Sequence, residues 1–334
     1  MNRSNLTRNK RKIIMITRRS ALLGTAAAAL APALAGHAAA PVSGHQAPAF
    51  YRFKVGDMEI TAISDGYGAF PRIDGFVKNA DAKDVAAALG EAYLPTGVVR
   101  IPFTTLVVNT AGKLVLLDVG NGDMAAPTSG TWMANFRAAG FTPDMVDMIV
   151  ISHMHGDHIN GLRLKDGTAV FPKAEIKVGA VEAAFWFNAD NAAKASAGMM
   201  KTNFDNAARV FAPIAKDLSH YAWDKEVAPG ITAIGAPGHT PGHTMFAIAS
   251  GKDNFLAVSD ITNIPALFVR HPDWAVLFDT DADVARATRH KVLDMVAAEK
   301  MHVGFYHADF PANGYIERNG SGYNLIPAPW VMPV

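Results

Sequence analysis

Cysteine is absent from all 334 residues. Disulfides, thiolate metal ligands and cysteine nucleophiles are therefore excluded. Acid is missing from the first forty residues, which carry Arg3, Arg8, Lys10, Arg11, Lys12, Arg18 and Arg19 but neither Asp nor Glu. The formal net charge of +1 hides this asymmetry, because the remainder holds 24 basic groups against 30 acidic ones. A body of that sign argues against nucleic acid or an anionic membrane surface as the main partner. A membrane-length apolar run is missing too. The leading candidate, Ala21 to Ala35, falls short of the about 20 residues that span a bilayer. No GxSxG nucleophile elbow occurs either. What remains is a chain that is 50% apolar, ample for a buried core.

The first forty residues read as an address. Thr17-Arg18-Arg19-Ser20 precedes the apolar run, and small residues follow at Ala35, Gly36, Ala38, Ala39 and Ala40. Basic, apolar and small segments in that order make a secretory leader. The arginine pair resembles a Tat signal, which exports a folded protein to the periplasm or beyond. The expected organisation is a leader over 1–40, a short linker over 41–49 and one catalytic domain over 50–334, with no membrane anchor after cleavage. The stretch ahead of the arginines is long, and a start at Met15 would give a more ordinary leader.

Period-two or continuous apolar runs predict strands over Tyr51–Val55, Glu59–Ser64, Thr105–Asn109, Lys113–Asp118, Met148–Ser152, Glu175–Val178, Ile231–Ala236, Thr244–Ala249, Asn254–Val258 and His302–Tyr306. Helices are predicted over Ala82–Leu89, Thr131–Ala139, Ala180–Phe187, Phe204–Phe211 and Asp283–Glu299, the last with Asp283 as N-cap. Strand-rich halves with helices between them suit two sheets packed face to face with helices outside.

The chemistry gathers in His153-Met154-His155-Gly156-Asp157-His158, directly after a predicted strand. In extended chain, residues i and i+2 face one way, so His153 and His155 can hold one ion. Gly156 lets the chain turn, and Asp157 and His158 can then serve a second. Imidazole and carboxylate ligands suit Zn²⁺, with Fe or Mn as alternatives. Alone, the hexapeptide could be a His-rich surface loop. Three further segments argue otherwise: His239 in Pro237-Gly238-His239-Thr240-Pro241-Gly242-His243, then Asp260, then His307 each close a predicted strand. Strand ends are where a rigid scaffold presents a site.

HxHxDH, GHTPGH, a strand-end Asp and a strand-end His together resemble the metallo-β-lactamase superfamily. EITAISDG over Glu59–Gly66, KLVLLDVG over Lys113–Gly120 and the tail His307–Pro327 extend the likeness to the methyl parathion hydrolase group within it, over roughly residues 50–330. The resemblance implies an α/β (α+β) fold, the four-layer αββα sandwich of two mixed sheets with outer helices. It implies that His153, His155 and His239 hold a first divalent metal, that Asp157, His158 and His307 hold a second, and that Asp260 bridges them. Zinc is the first expectation, with iron, manganese or cobalt as alternatives. Asp118 would orient a ligand histidine, His243 would support the site without binding metal, and Asp65 would play a part like that of Asp118. Two ions about 3.5–4 Å apart can share a water-derived hydroxide, so no side-chain nucleophile is required. Asp157 or Asp260 would carry the proton to the leaving group. A homodimer and a small-molecule substrate are also implied.

The implied bond is a neutral ester: a lactone, an aryl ester or a phosphotriester. The alternatives are an iron-dependent oxygenase on the same ligand set, a β-lactamase and a non-catalytic binding protein. Candidate pocket residues are Trp186, Met199, Met200 and Asn263. Met199, Met200 and Ala125 stand where parathion-hydrolysing relatives carry phenylalanines, so a roomier pocket is expected. Asn263 stands three residues after the bridging Asp, where acyl-homoserine lactonases place a tyrosine. Trp186, Met199 and Met200 could equally be core. Gly120-Asn121-Gly122-Asp123-Met124-Ala125 partly matches a dinucleotide loop, but lacks a following ribose-binding acid and reads as a loop beside the metals.

Overall fold

The computed structural model describes residues 40, 42–195 and 197–332. The twin-arginine segment lies outside the described residues. The fold occupies Gln46–Val334.

Among the described residues, fourteen strands form two seven-stranded sheets. The first is ordered β1 (Phe50–Val55), β2 (Met58–Phe70), β3 (Val99–Thr110), β4 (Lys113–Leu117), β5 (Met148–Ile151), β6 (Glu175–Gly179) and β7 (Ser219–Tyr221). The second runs from β8 (Glu226–Ala228) through β9 (Ile231–Gly235), β10 (Thr244–Ser250), β11 (Asp253–Ser259), β12 (Val303–Phe305) and β13 (Asn313–Asn319) to β14 (Gly322–Pro327). Both sheets are mixed: β4 to β7 pair in parallel, as do β11 and β12, and the other pairs are antiparallel.

Local chemistry explains these elements. Thr110 pairs with Lys113 across Ala111-Gly112, both with positive φ (47° and 73°), as a type I′ hairpin requires. The central strands β4 and β5 read Lys-Leu-Val-Leu-Leu and Met-Ile-Val-Ile: beyond the exposed Lys113 every position is apolar, as strands covered on both faces require. Val115 and Leu117 point between the sheets, where they meet Phe53, Ile60, Val150, Phe246, Ile248 and Phe255. Leu114 and Leu116 point outward, beneath Trp132 and Phe136 of α2 (Trp132–Ala138), Ala183 and Trp186 of α4 (Ala180–Trp186) and Phe204 of α6 (Gly198–Phe211). The shorter or flanking helices are α1 (Ala82–Glu91), the single turn α3 (Gly156–Ile159), α5 (Ala189–Lys194) and α7 (Pro265–Phe268). On the far side Val292, Leu293 and Val296 of α8 (Ala282–Ala298) cover Leu256, Val258 and Val303. The layers are therefore helix, sheet, sheet, helix. Each of these large side chains contributes about 1.5–3 kcal/mol by burial.

Some expectations need correction. The α8 N-cap is Asp281, not Asp283: its side chain accepts the backbone N–H groups of Asp283 and Val284. Asp283 sits in the first turn, where an acid suits the helix dipole. Helix α6 begins at Gly198, well ahead of Phe204. Strands β7, β8, β13 and β14 were not foreseen. They are short, or alternate weakly in Asn-Gly-Tyr-Ile-Glu-Arg-Asn, and are fixed by pairing rather than by their own pattern. Among the described residues no helix is long and apolar enough to cross a membrane.

Candidate metal centre

Every strand that ends at the site ends there with a polar side chain. His153 follows β5, His239 follows β9, Asp260 follows β11 and His307 follows β12. In β11 the register shifts between Ala257 and Ser259, and Ser259 has φ 48°. The bulge turns the following Asp260 into the space between the sheet ends. The seven expected ligands come together as three overlapping groups: His153, His155 and His239; His153, His158 and Asp260; Asp157, His158 and His307. Within each group the donor atoms lie within 4.8 Å of one another.

Hydrogen bonds decide which ring nitrogens face inward. His158 Nδ1 donates to Asp118 Oδ2 at 2.8 Å. His239 Nδ1 donates to Asp279 Oδ1 at 3.0 Å. His307 Nδ1 donates to the carbonyl of Pro102 at 2.8 Å. His153 Nδ1 donates to Ser152 Oγ at 3.1 Å, whose own hydrogen goes to Asp118 Oδ2 at 2.7 Å. In their neutral form all four rings are thereby held as the tautomer whose Nε2 carries the lone pair. His155 turns Nδ1 inward, 3.2 Å from His153 Nε2 and 2.9 Å from His239 Nε2.

Asp260 reaches across the groups. Its Oδ2 lies 2.9 Å from His307 Nε2 and 3.3 Å from His239 Nε2, while Oδ1 lies 3.4 Å from His158 Nε2. Asp157 Oδ2 stands 3.6 Å from His158 Nε2 and 3.7 Å from His307 Nε2. His158 Nε2 and Asp260 Oδ1 are buried without a hydrogen-bond partner. Converging lone pairs, two carboxylates and orphaned buried atoms repel unless cations lie among them, so the donor set fits divalent metals. Burial drives the pKa of His153 and His155 well down, as ligand imidazoles require. Burial also opposes charge on His158, but Asp157, Asp260 and Asp118 outweigh it and raise that ring.

Of the supporting residues, Asp118 takes a left-handed backbone (φ 62°) that aims its carboxylate at Ser152 and His158. His243 donates from Nδ1 to the carbonyl of Ala236 and accepts the Asp260 N–H at Nε2. Burial pushes its pKa down to about 3, so it stays neutral and holds the Asp260 backbone. Asp65 touches no ligand histidine in these hydrogen bonds. It accepts from the Asn121 backbone and side chain and from Trp132 N, fixing the loop beside the metals.

Above the ligands opens a cavity of about 320 Å³, walled by Ile101, Phe103, Met199 and Phe278 with Asn121, Asn203 and Asn263 among them. Met199 and Asn263 thus line it, with Asn263 Oδ1 buried and unpartnered. Trp186 and Met200 do not. Trp186 packs edge-on against His155 with centroids 5.9 Å apart and donates its indole N–H to Glu182, whereas Met200 packs on the outer core. Ala125 is not among the lining residues.

Three contributors escaped sequence reasoning. Asp279, buried, orients His239 and faces the buried Arg289 of α8 at 3.5 Å. It was masked by the acids of the helix start, Asp281 and Asp283. Tyr306 stacks on His158 (centroids 3.8 Å apart) and donates to the carbonyl of Asp157. Glu182 is a lone acid on the otherwise apolar face of α4, and that oddity was the available signal.

The metallo-β-lactamase superfamily model matches residues 97–300, and the chain belongs to that superfamily. Its fold, its His/Asp cluster and its structural neighbours are those of a metal-dependent hydrolase. Among solved structures it is similar to AidC, a dizinc quorum-quenching lactonase in complex with the product N-hexanoyl-L-homoserine. That match has 28% identity and a TM-score of 0.78, covering 85% of this chain and 99% of the other. A second, the hydrolase AbOPH, shows 27% identity and a TM-score of 0.79, covering 86% and 100%. An N-acyl homoserine lactone lactonase at 18% identity and a TM-score of 0.54, covering 78% and 99%, shares the fold. No match was found among curated proteins.

Proposed function

We propose that this chain is a dinuclear-metal hydrolase of neutral esters, with lactones as its first substrate class. The carrying observation is the cavity wall: apolar side chains and asparagine amides, with no Lys or Arg among the described residues lining it. The carboxylate that an intact bicyclic β-lactam carries beside its ring, or the phosphate of a nucleic acid, would call for a cation there. A neutral acyl group does not. The likeness to AidC, crystallised with an acyl-homoserine product, supports lactones within that class.

His153, His155 and His239 would hold one ion, Asp157, His158 and His307 the other, and Asp260 both. Such ions lower the pKa of water toward about 7 and polarise an ester oxygen. The chain's own residues do the rest. Ile101, Phe103, Met199 and Phe278 exclude bulk water from the acyl group. Asn263 presents amide atoms beside Asp260, where an ester oxygen would sit. Attack of water on the acyl carbon breaks the ester C–O bond, and the water's proton must reach the leaving oxygen. Asp157 would carry it: both aspartates line the cavity, but the Asp157 side chain is 23% exposed, whereas that of Asp260 is 4% exposed and turned into the histidines.

The test is metal content of the purified protein together with turnover of a γ-lactone, p-nitrophenyl acetate, a paraoxon-type triester and nitrocefin. About two zinc-like ions per chain with lactone or ester turnover is the expected result. One iron per chain with oxygen uptake and no hydrolysis would overturn it in favour of an oxygenase. Asp260→Ala should reduce turnover to background, and retained activity would remove Asp260 from its bridging role. Export by the leader at Arg18-Arg19 and a homodimeric state complete the proposal. The first is supported by the order of basic, apolar and small segments, the second by the family resemblance. N-terminal sequencing of the exported protein and light scattering check them.

A further inference from the structure

Glu182 is 1% exposed and has no part in the ligand set. Its two oxygens accept four hydrogen bonds. Oε1 takes the backbone N–H of Met154 at 2.9 Å and the indole N–H of Trp186 at 2.6 Å. Oε2 takes the Thr240 hydroxyl at 2.8 Å and the backbone N–H of Gly242 at 2.9 Å. Met154 lies between His153 and His155. Thr240 and Gly242 follow His239. The first loop leaves β5 of one sheet and the second leaves β9 of the other. One carboxylate on α4 therefore joins the two loops that supply all three histidines of one group. The second loop packs directly on that helix: a Cβ at Gly242 would come within 2.2 Å of the Glu182 backbone nitrogen.

We propose that Glu182 is a positioning residue that sets the spacing of His153 and His155 against His239, and so the affinity of that metal position alone. Burying a carboxylate costs several kcal/mol unless every lone pair is used, and an apolar side chain would pack α4 on the loops at lower cost. The four donors account for its presence. Each needs an acceptor, and two are backbone N–H groups in loops that have left the sheet ladders. A glutamine supplies one oxygen and sets its NH₂ against two of the four donors. Asp118 and Asp279 orient single rings, whereas Glu182 fixes the distance between the segments that carry them.

This inference rests on the dinuclear reading, and the experiment separates the two. Metal-free wild type and Glu182→Gln are reloaded with two equivalents of ¹¹³Cd²⁺ for NMR, and their zinc affinities are measured by chelator competition. In wild type two resonances and two zinc equivalents are expected. In Glu182→Gln one equivalent should loosen about 10–100-fold, and one resonance should move or broaden while the other stays. Two unchanged equivalents and resonances in the folded variant overturn the positioning role. Equal loosening of both also overturns it, since general destabilisation would do that. If Glu182→Gln does not fold, Thr240→Val removes a single donor and is read the same way. A selective loosening of a few-fold supports the proposal, and wild-type or equal behaviour rejects it. Fewer than two equivalents in wild type would instead defeat the dinuclear reading beneath it.

Discussion

Four of the five inward-facing imidazole nitrogens of this site are specified by an atom on the far side of the ring. Asp118, Asp279, Ser152 and the Pro102 carbonyl each take an Nδ1 hydrogen, which leaves Nε2 bare on His158, His239, His153 and His307. Removing such a partner frees the ring to rotate or change tautomer without touching a ligand. Asp279→Asn keeps the shape but offers a weaker acceptor. It should weaken metal binding about 10–100-fold, with chelator competition as the measurement. An unchanged affinity would show that the Asp279 carboxylate does not hold His239. Local backbone strain belongs to this scale too: Asp118 and Ser259, both with positive φ, stand at the bends where chain must leave a sheet and aim a side chain at the centre.

At the scale of elements, strand ends meet and helices brace them. Helix α8 shows this through Arg289, which donates to the carbonyls of Ile261, Pro272 and Trp274 and faces Asp279. The helix thus ties the loop after Asp260 to the carboxylate behind His239. The second sheet carries a pH dependence of its own. His302, just before β12, bonds Asn313 of β13 and packs edge-on against Phe255, with centroids 4.9 Å apart. Burial lowers its pKa. A histidine depressed in the folded state contributes stability that is present above the unfolded value of about 6.5 and is lost as pH falls through the folded value. The stability difference between wild type and His302→Gln should therefore shrink as pH is lowered from 7 to 5 in urea titrations. A constant difference would show that His302 titrates alike in both states.

For the whole molecule, the candidate metal centre joins what the core leaves apart. The seven side chains come from both sheets, so ions held among them would cross-link the sandwich at its open end. Removal by a chelator should lower the melting temperature. Saturation of one site at 100 times its dissociation constant contributes about 2.7 kcal/mol, or roughly 4–5 °C for a domain of this size. Calorimetry with and without chelator checks this, and Asp260→Ala should respond less. An unshifted melting temperature with metal demonstrably removed would mean that the sheets hold the site rigid by themselves.

The layered fold was legible in the sequence, and the seven side chains that family resemblance named as ligands come together in one place. Parallel strands buried on both faces must be apolar throughout, so β4 and β5 announce themselves, and histidines spaced HxHxDH after such a strand have few other uses. The sequence did not show Asp279, Tyr306 or Glu182, nor the strands β13 and β14 that close one side of the second sheet. Nothing near Asp279 in the chain marks it off from its neighbours Asp281 and Asp283, one of which only caps α8. Glu182 lies 28 residues from Met154 and 58 from Thr240, and its meaning comes from what it touches across two sheets. Trp186 shows the converse: an aromatic in a plausible pocket segment is turned by tertiary packing onto Glu182 and His155 rather than into the cavity. Residue type and period constrain what a segment can be. Which side chains share a site is decided by long-range contact, and no local pattern encodes that.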